Sequence, residues 1–142
     1  MQVVLDQNAL VHPGEYIGID AMKLSRDHHY LAFTMDKTGS ETYNLYVKDL
    51  RTGVIREEVR NVMNMEWNET GEWLYYTVPD HLKRTYRVMC HVVGTPSSTD
   101  QLVCEELDDR FFVDIVSTKD KVSTVVVGHV SQRFDMCRRA TH

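Results

Sequence analysis

An all-β fold is predicted by three features of the sequence: runs whose side chains alternate with period two, glycine-bearing turns about every ten residues, and an internal repeat at a spacing of 43 residues. Tyr86, Val88, Cys90 and Val92 alternate with Arg87, Met89 and His91, which puts one set on each face of a strand. Leu31, Phe33 and Met35 alternate in the same way with Tyr30, Ala32 and Thr34, and Tyr43, Leu45 and Val47 with Asn44, Tyr46 and Lys48. The run 73–78 is dense in aromatic and β-branched residues, and 122–127 is rich in β-branched residues; both suit buried strands.

The turns have chemical causes. Lys37-Thr38-Gly39-Ser40 and Glu69-Thr70-Gly71-Glu72 each place a glycine where a hairpin needs positive φ, and Asp49-Leu50-Arg51-Thr52-Gly53 is a third glycine-closed turn. Gly94-Thr95-Pro96-Ser97-Ser98 reads as a longer loop. The repeat then selects among all-β architectures. Displaced by 43 residues, 19–48 falls on 62–91 without a gap: Met22 meets Met65, Leu31 meets Leu74, Thr34 meets Thr77 and Thr42-Tyr43 meets Thr85-Tyr86, while Tyr30 meets Trp73 and Phe33 meets Tyr76. A period in the forties with about four strands per unit is the pattern of β-propeller blades.

The expected architecture is therefore an incomplete β-propeller of about two and a half four-stranded antiparallel blades. Residues 1–18 form a lead-in, 19–60 the first blade, 61–110 the second and 111–127 the start of a third. Strands are expected near 19–24, 30–36, 41–48 and 54–59, then near 62–67, 73–78, 85–92 and 101–105, and again from Phe111 and over 122–127. Residues 128–142 show neither alternation nor an Asp-Leu-x-x-Gly turn and are expected to be a divergent tail.

Composition bounds the function. The chain has 142 residues, 42% hydrophobic and 26% charged, which is a globular rather than a disordered balance. Its net charge of −5 disfavours a nucleic-acid surface, which needs a concentrated basic field. No run is long and apolar enough for a membrane span, and the start lacks the pattern of a secretory signal. Cys90, Cys104 and Cys137 are odd in number and lack CxxC spacing, so neither a disulfide framework nor a zinc site is expected, and a reducing, cytoplasmic compartment fits.

Catalytic, cofactor and metal residues are all expected to be absent. No G-x-S-x-G nucleophile elbow occurs, and Ser97 and Ser98 sit in a loop between strands. Among His12, His28, His29, His81, His91, His129 and His142 no pair has the helical spacing of an HExxH site; His28-His29 falls in a turn, and His91 points to the strand face opposite Cys90. Trp67, Trp73, Tyr75 and Tyr76 read as core rather than as a base-stacking platform. Asn68-Glu69-Thr70 matches a glycosylation sequon that, without a signal, does not meet the glycosylation machinery, and Glu105, Glu106, Asp108 and Asp109 read as a solvated turn.

Several segments resemble the prolyl oligopeptidase family, and oligopeptidase B-like members in particular. Leu5-Asp6-Gln7-Asn8-Ala9-Leu10 resembles the family's lead into its propeller, and Leu24-Ser25-Arg26-Asp27-His28-His29-Tyr30-Leu31-Ala32-Phe33-Thr34 its first-blade hairpin. Glu41-Thr42-Tyr43-Asn44-Leu45-Tyr46-Val47-Lys48-Asp49-Leu50, closed by Thr52-Gly53, continues the likeness, and Asp108-Asp109-Arg110-Phe111-Phe112-Val113 is similar to the entry into the third blade. The resemblance implies a piece of a seven-bladed propeller that caps an α/β-hydrolase domain. It implies a cytosolic serine peptidase that acts on peptides, with the propeller restricting access and the Ser, Asp and His of the triad in the other domain. Peptide substrates would then be partners of a full-length parent. The chain departs from the family before Val3, where relatives carry a further segment, and after Gly128, where a truncated, alternatively spliced or frame-changed product is expected. The other reading open to the pattern is a stand-alone β-repeat interaction module. With two and a half blades the end faces and strand edges stay open, so self-association of the isolated chain is expected.

Overall fold

The computed structural model describes residues 18–68, 71–117, 123–129 and 134–137. Eleven strands are formed among these residues: β1 (Gly18–Leu24), β2 (Tyr30–Asp36), β3 (Asn44–Asp49), β4 (Ile55–Val59), β5 (Met65–Trp67), β6 (Trp73–Pro79), β7 (Thr85–Val92), β8 (Gln101–Glu105), β9 (Phe111–Ser117), β10 (Ser123–His129) and β11 (Phe134–Cys137). They make three antiparallel sheets, ordered β1-β2-β3-β4, β5-β6-β7-β8 and β9-β10-β11. The first strands of successive sheets, β1, β5 and β9, approach one another, so the sheets fan outward from a common inner edge. That is the radial arrangement of an incomplete propeller.

The 43-residue repeat appears as strand register. Met22 pairs with Phe33 as Met65 pairs with Tyr76, Leu24 with Leu31 as Trp67 with Leu74, and Thr34 with Leu45 as Thr77 with Val88. Polar contacts repeat as well. The buried hydroxyl of Thr34 accepts the Ala21 N–H at 3.1 Å, and that of Thr77 accepts the Asn64 N–H at 2.9 Å. In the turn after the first strand, the Ser25 side chain accepts the Tyr30 N–H at 3.0 Å and that of Asn68 accepts the Trp73 N–H at 3.1 Å. Each pair occupies one position of a shared hairpin, and a side-chain oxygen there closes the turn.

Two cores glue the sheets together. Ala32, Leu45, Val47 and Val59 of the first sheet pack against Met65, Trp67, Leu74 and Tyr76 of the second. On the second sheet's other face Tyr75, Val88 and Cys90 pack against Val113 and Ile115 of the third. The face of the second sheet that meets its predecessor is set by residues 74 and 76, and the opposite face by 75; one-residue alternation converts directly into two interfaces.

Three departures from the sequence reading have physical causes. Residues 41–43 are not in β3, because the buried Asp36 carboxylate draws the N–H groups of Thr38, Gly39 and Glu41 into a loop at 2.8–3.2 Å. Residues 62–64 precede β5: Val62 N–H bonds to Tyr43 across the link and Met63 N–H to the Thr77 carbonyl. The sheet also continues past residue 127. β10 runs to His129, and β11 pairs with it in the register Val125 to Cys137 and Gly128 to Phe134. Alternation breaks at Gly128 because the ring of Phe112, its cross-strand partner, fills the space a Cβ would occupy. β11, held at the sheet edge by backbone pairing, need not carry an alternating pattern. The expected lead-in over 1–17 lies outside the described residues.

Candidate functional site at the seams between sheets

The inner edge is polar and linked from sheet to sheet. Lys23 on β1 is ion-paired to Glu66 on β5 at 2.6 Å, and the Trp67 indole N–H donates to the Lys23 carbonyl at 2.8 Å. Asn64, just before β5, donates from its side chain to the Asp114 carboxylate on β9 at 3.0 Å. These bonds set the spacing of the inner strands.

At the end where β2 runs into β3 and β6 into β7, Arg84 acts as a staple. Its Nη1 donates to the carbonyls of Glu106, Asp108 and Phe111 at 3.2, 3.1 and 2.6 Å, and its Nε pairs with Asp80 at 3.2 Å. One planar cation thus holds the segment between the second and third sheets. Beside it opens a cavity of about 640 Å³ lined by Met63, Asn64, Leu82, Thr85, Phe112 and Asp114.

The outer part of the first seam holds a buried charged cluster. His91 on β7 is wholly buried; its Nδ1 lies 2.6 Å from Asp100 and its Nε2 3.0 Å from Glu58 on β4. Glu58 also accepts the Gly94 N–H at 2.8 Å, and the Tyr76 hydroxyl donates to Asp100. Burial works against charge on His91, but hydrogen bonds to Glu58 and Asp100 outweigh it and raise its pKa above the usual histidine value. Burial likewise pushes Glu58 up, while its bonds from His91 and Gly94 carry it below the usual carboxylate range. Burial and the Asp100 charge push the Cys90 thiol up to about 11, which keeps it protonated and inert.

The residues singled out from sequence fall as follows. Ser97 and Ser98 are exposed on a single 3-10 turn before β8. His28, at φ 63°, His29 and His81 are exposed, and the ring nitrogens of His91 are both taken by carboxylates, so it is not placed as a base for a hydroxyl. His12 and His142 lie outside the described residues, and of His129 only its place in β10 is described. Trp67, Tyr75 and Tyr76 are core, while Trp73 is half-buried against the second core. Asn68 uses its side-chain oxygen to close a turn, accepting from Gly71 and Trp73. The acidic cluster is tied down: Glu105 pairs with Arg87, and the bond from Arg110 holds Asp108 at about 2. Among the described residues no group of three or more His, Cys, Asp or Glu could hold a metal ion. The His91 cluster is invisible to motif reading because its three members come from a strand, a loop and a different sheet. The one usable signal is that His91 stands one repeat after Lys48, a second cation at the same register.

Comparison with known proteins now identifies the fold's lineage. Residues 1–134 match the family described as prolyl oligopeptidase, N-terminal beta-propeller domain. The chain belongs to the prolyl oligopeptidase family. That match runs past Gly128, where the resemblance read from sequence stopped. "Protease 2" of Moraxella lacunata is 34% identical over 114 residues, covering 78% of this chain and 16% of that protein. "Dipeptidyl aminopeptidase BI" of Pseudoxanthomonas mexicana is 37% identical over 122 residues, covering 84% of this chain and 17% of that protein. Among solved structures, oligopeptidase B from Leishmania major superimposes with a TM-score of 0.78 at 20% identity, over 96% of this chain and 22% of that one. Oligopeptidase B from Trypanosoma brucei gives 0.71 at 22% identity, over 96% and 21%. The chain therefore spans about a sixth of the length of these curated relatives and matches the family's N-terminal propeller domain.

Proposed function

We propose that this chain is the N-terminal part of the wall and gate of a cytoplasmic serine-type oligopeptidase, acting on peptides through a full-length parent. The observation that carries the reading is the family match over residues 1–134, joined to three sheets fanned about an inner edge. A wall of this kind does mechanical work: stiff, densely packed sheets present a fixed opening, and the polar inner edge of Lys23, Asn64, Glu66 and Asp114 faces what passes. Cytoplasmic residence is supported by Cys90, a buried free thiol. Among the described residues no helix is long and apolar enough to cross a membrane.

The isolated chain is expected to self-associate, since Met22 and Leu24 on the first sheet and Val116 on the third stand 56%, 46% and 42% exposed. The test is twofold. The pure chain should not hydrolyse a basic dipeptide reporter, and turnover abolished by a serine-directed inhibitor would overturn the reading. Grafted into a relative in place of the matching stretch, it should support cleavage of short peptides while folded proteins stay uncut. A chimera that cuts folded proteins would refute the gate.

A further inference from the structure

The wholly buried His91 contributes to neither core's apolar packing and to no catalytic arrangement, yet it joins two sheets. Both ring nitrogens face carboxylates, at 2.6 and 3.0 Å. A neutral imidazole has one N–H, so it satisfies one carboxylate and turns a lone pair on the other; only the imidazolium donates to both. Glu58 and Asp100 have side chains 7% and 1% exposed, so both carboxylates depend largely on protein donors.

We propose that His91 is a proton-operated clasp on the outer seam between the first two sheets, closed while the ring carries two protons and released when one leaves. Glu58 sits on β4, a five-residue outer strand, and its other partner there is the backbone of Gly94 in the loop after β7. Proton loss leaves the Glu58 carboxylate facing a lone pair, and β4 and the Gly94 loop move apart. The other charged or titratable groups around the cluster do not substitute for this proton. Tyr76 on β6 is held neutral by burial and its bond to Asp100; Cys90 on β7 titrates at about 11; Arg56 on β4 is exposed beside the cavity that Glu58 lines. The first sheet offers a natural contrast, because the same register there holds Lys48 in place of a histidine.

The sign follows from the two shifts. His91 is raised on folding, so its contribution is full below the ordinary histidine value and is lost as pH rises through the raised one. Glu58 is lowered, so its contribution is full above the ordinary carboxylate value and is lost as pH falls through the lowered one. The clasp is closed between these limits and opens on the alkaline side through His91.

Two measurements on the whole chain test this, and both tolerate self-association. Exchange of the imidazole C2 proton, read by mass spectrometry, gives a titration midpoint for His91 beside those of the exposed His28, His29 and His81. Amide exchange of β4 and the 92–96 segment, normalised to β3, reports the seam. The expected result is a His91 midpoint above the exposed three. Seam protection should fall through that same midpoint, about tenfold for each pH unit by which folding raises it. Glu58→Gln, which keeps an acceptor and removes the charge, should move both midpoints down together by roughly one unit. A His91 midpoint at or below the exposed histidines, or seam protection that stays flat through it, overturns the proposal. If the variant does not fold, agreement or disagreement of the two midpoints in the unmodified chain decides alone.

Discussion

The first two sheets are built on one plan, yet equivalent side chains meet different fates. Met22 and Met65 occupy the same register, and Met22 is 56% exposed while Met65 is fully buried. Leu24 is 46% exposed, whereas Trp67, its equivalent, is buried and donates to the Lys23 carbonyl. The strand registers, the turn after the first strand and the threonine contacts recur in both. What differs is the neighbour: the second sheet has another on each side, and the face of β1 that carries Met22 and Leu24 has none among the described residues. Burial in such a fold belongs to the seam, and local sequence sets only which face is offered to it.

Truncation of the two methionines should break the comparison most sharply. Met65→Ala is expected to cost about 2–5 kcal/mol, as for a large buried side chain replaced by alanine, and Met22→Ala less than about 1 kcal/mol. Urea unfolding at fixed chain concentration measures both, and equal losses would mean that β1 is covered as β5 is. The threonines should behave in the opposite way. Thr34→Val and Thr77→Val each orphan a backbone N–H, of Ala21 and Asn64, and should each cost about 1–3 kcal/mol. A difference of more than about 1 kcal/mol between them would show that this contact, too, depends on the neighbour.

Glycines sharpen the point on a smaller scale. Gly71 at φ +77° and Gly53 at φ +81° share the strain a side chain would suffer, about 1 kcal/mol. A Cβ on Gly71 would also press on the Asp27 carboxylate of the first sheet, at 3.1 Å, while one on Gly53 meets nothing within 4 Å. Gly71→Ala should therefore lower the unfolding midpoint more than Gly53→Ala; the reverse order would remove Asp27 from the seam. The smallest effect is expected in acid. Hydrogen bonds from the Thr38 backbone foremost, with those of Glu41 and Gly39, hold the Asp36 carboxyl below its usual range against burial. Its contribution is present above the ordinary carboxylate value and fades as pH falls through the lowered one. Asp36→Asn should flatten the acid limb of a pH–stability curve, below the ordinary carboxylate value, relative to the parent chain.

Much of this was legible in the chain itself, for a physical reason: alternation, turn chemistry and the repeat are local, and each strand's face and each glycine turn follow from the residues in them. Thr34, Thr77, Gly39, Gly53 and Gly71 announce their hairpins without reference to the rest of the molecule. Where local signals thinned, the reading stopped early: Gly128 breaks the alternation for the sake of Phe112, a partner sixteen residues back whose place only the sheet reveals. The His91 cluster was equally hidden. Its charge and its hold on Glu58 and Asp100 exist because a strand of one sheet, a loop and the outer strand of another converge, and no periodicity in the chain encodes that convergence. The sequence by itself determined the strands, their faces and the lineage. Tertiary structure alone decided which equivalent residues are buried and which charges meet, because both depend on what stands across a seam.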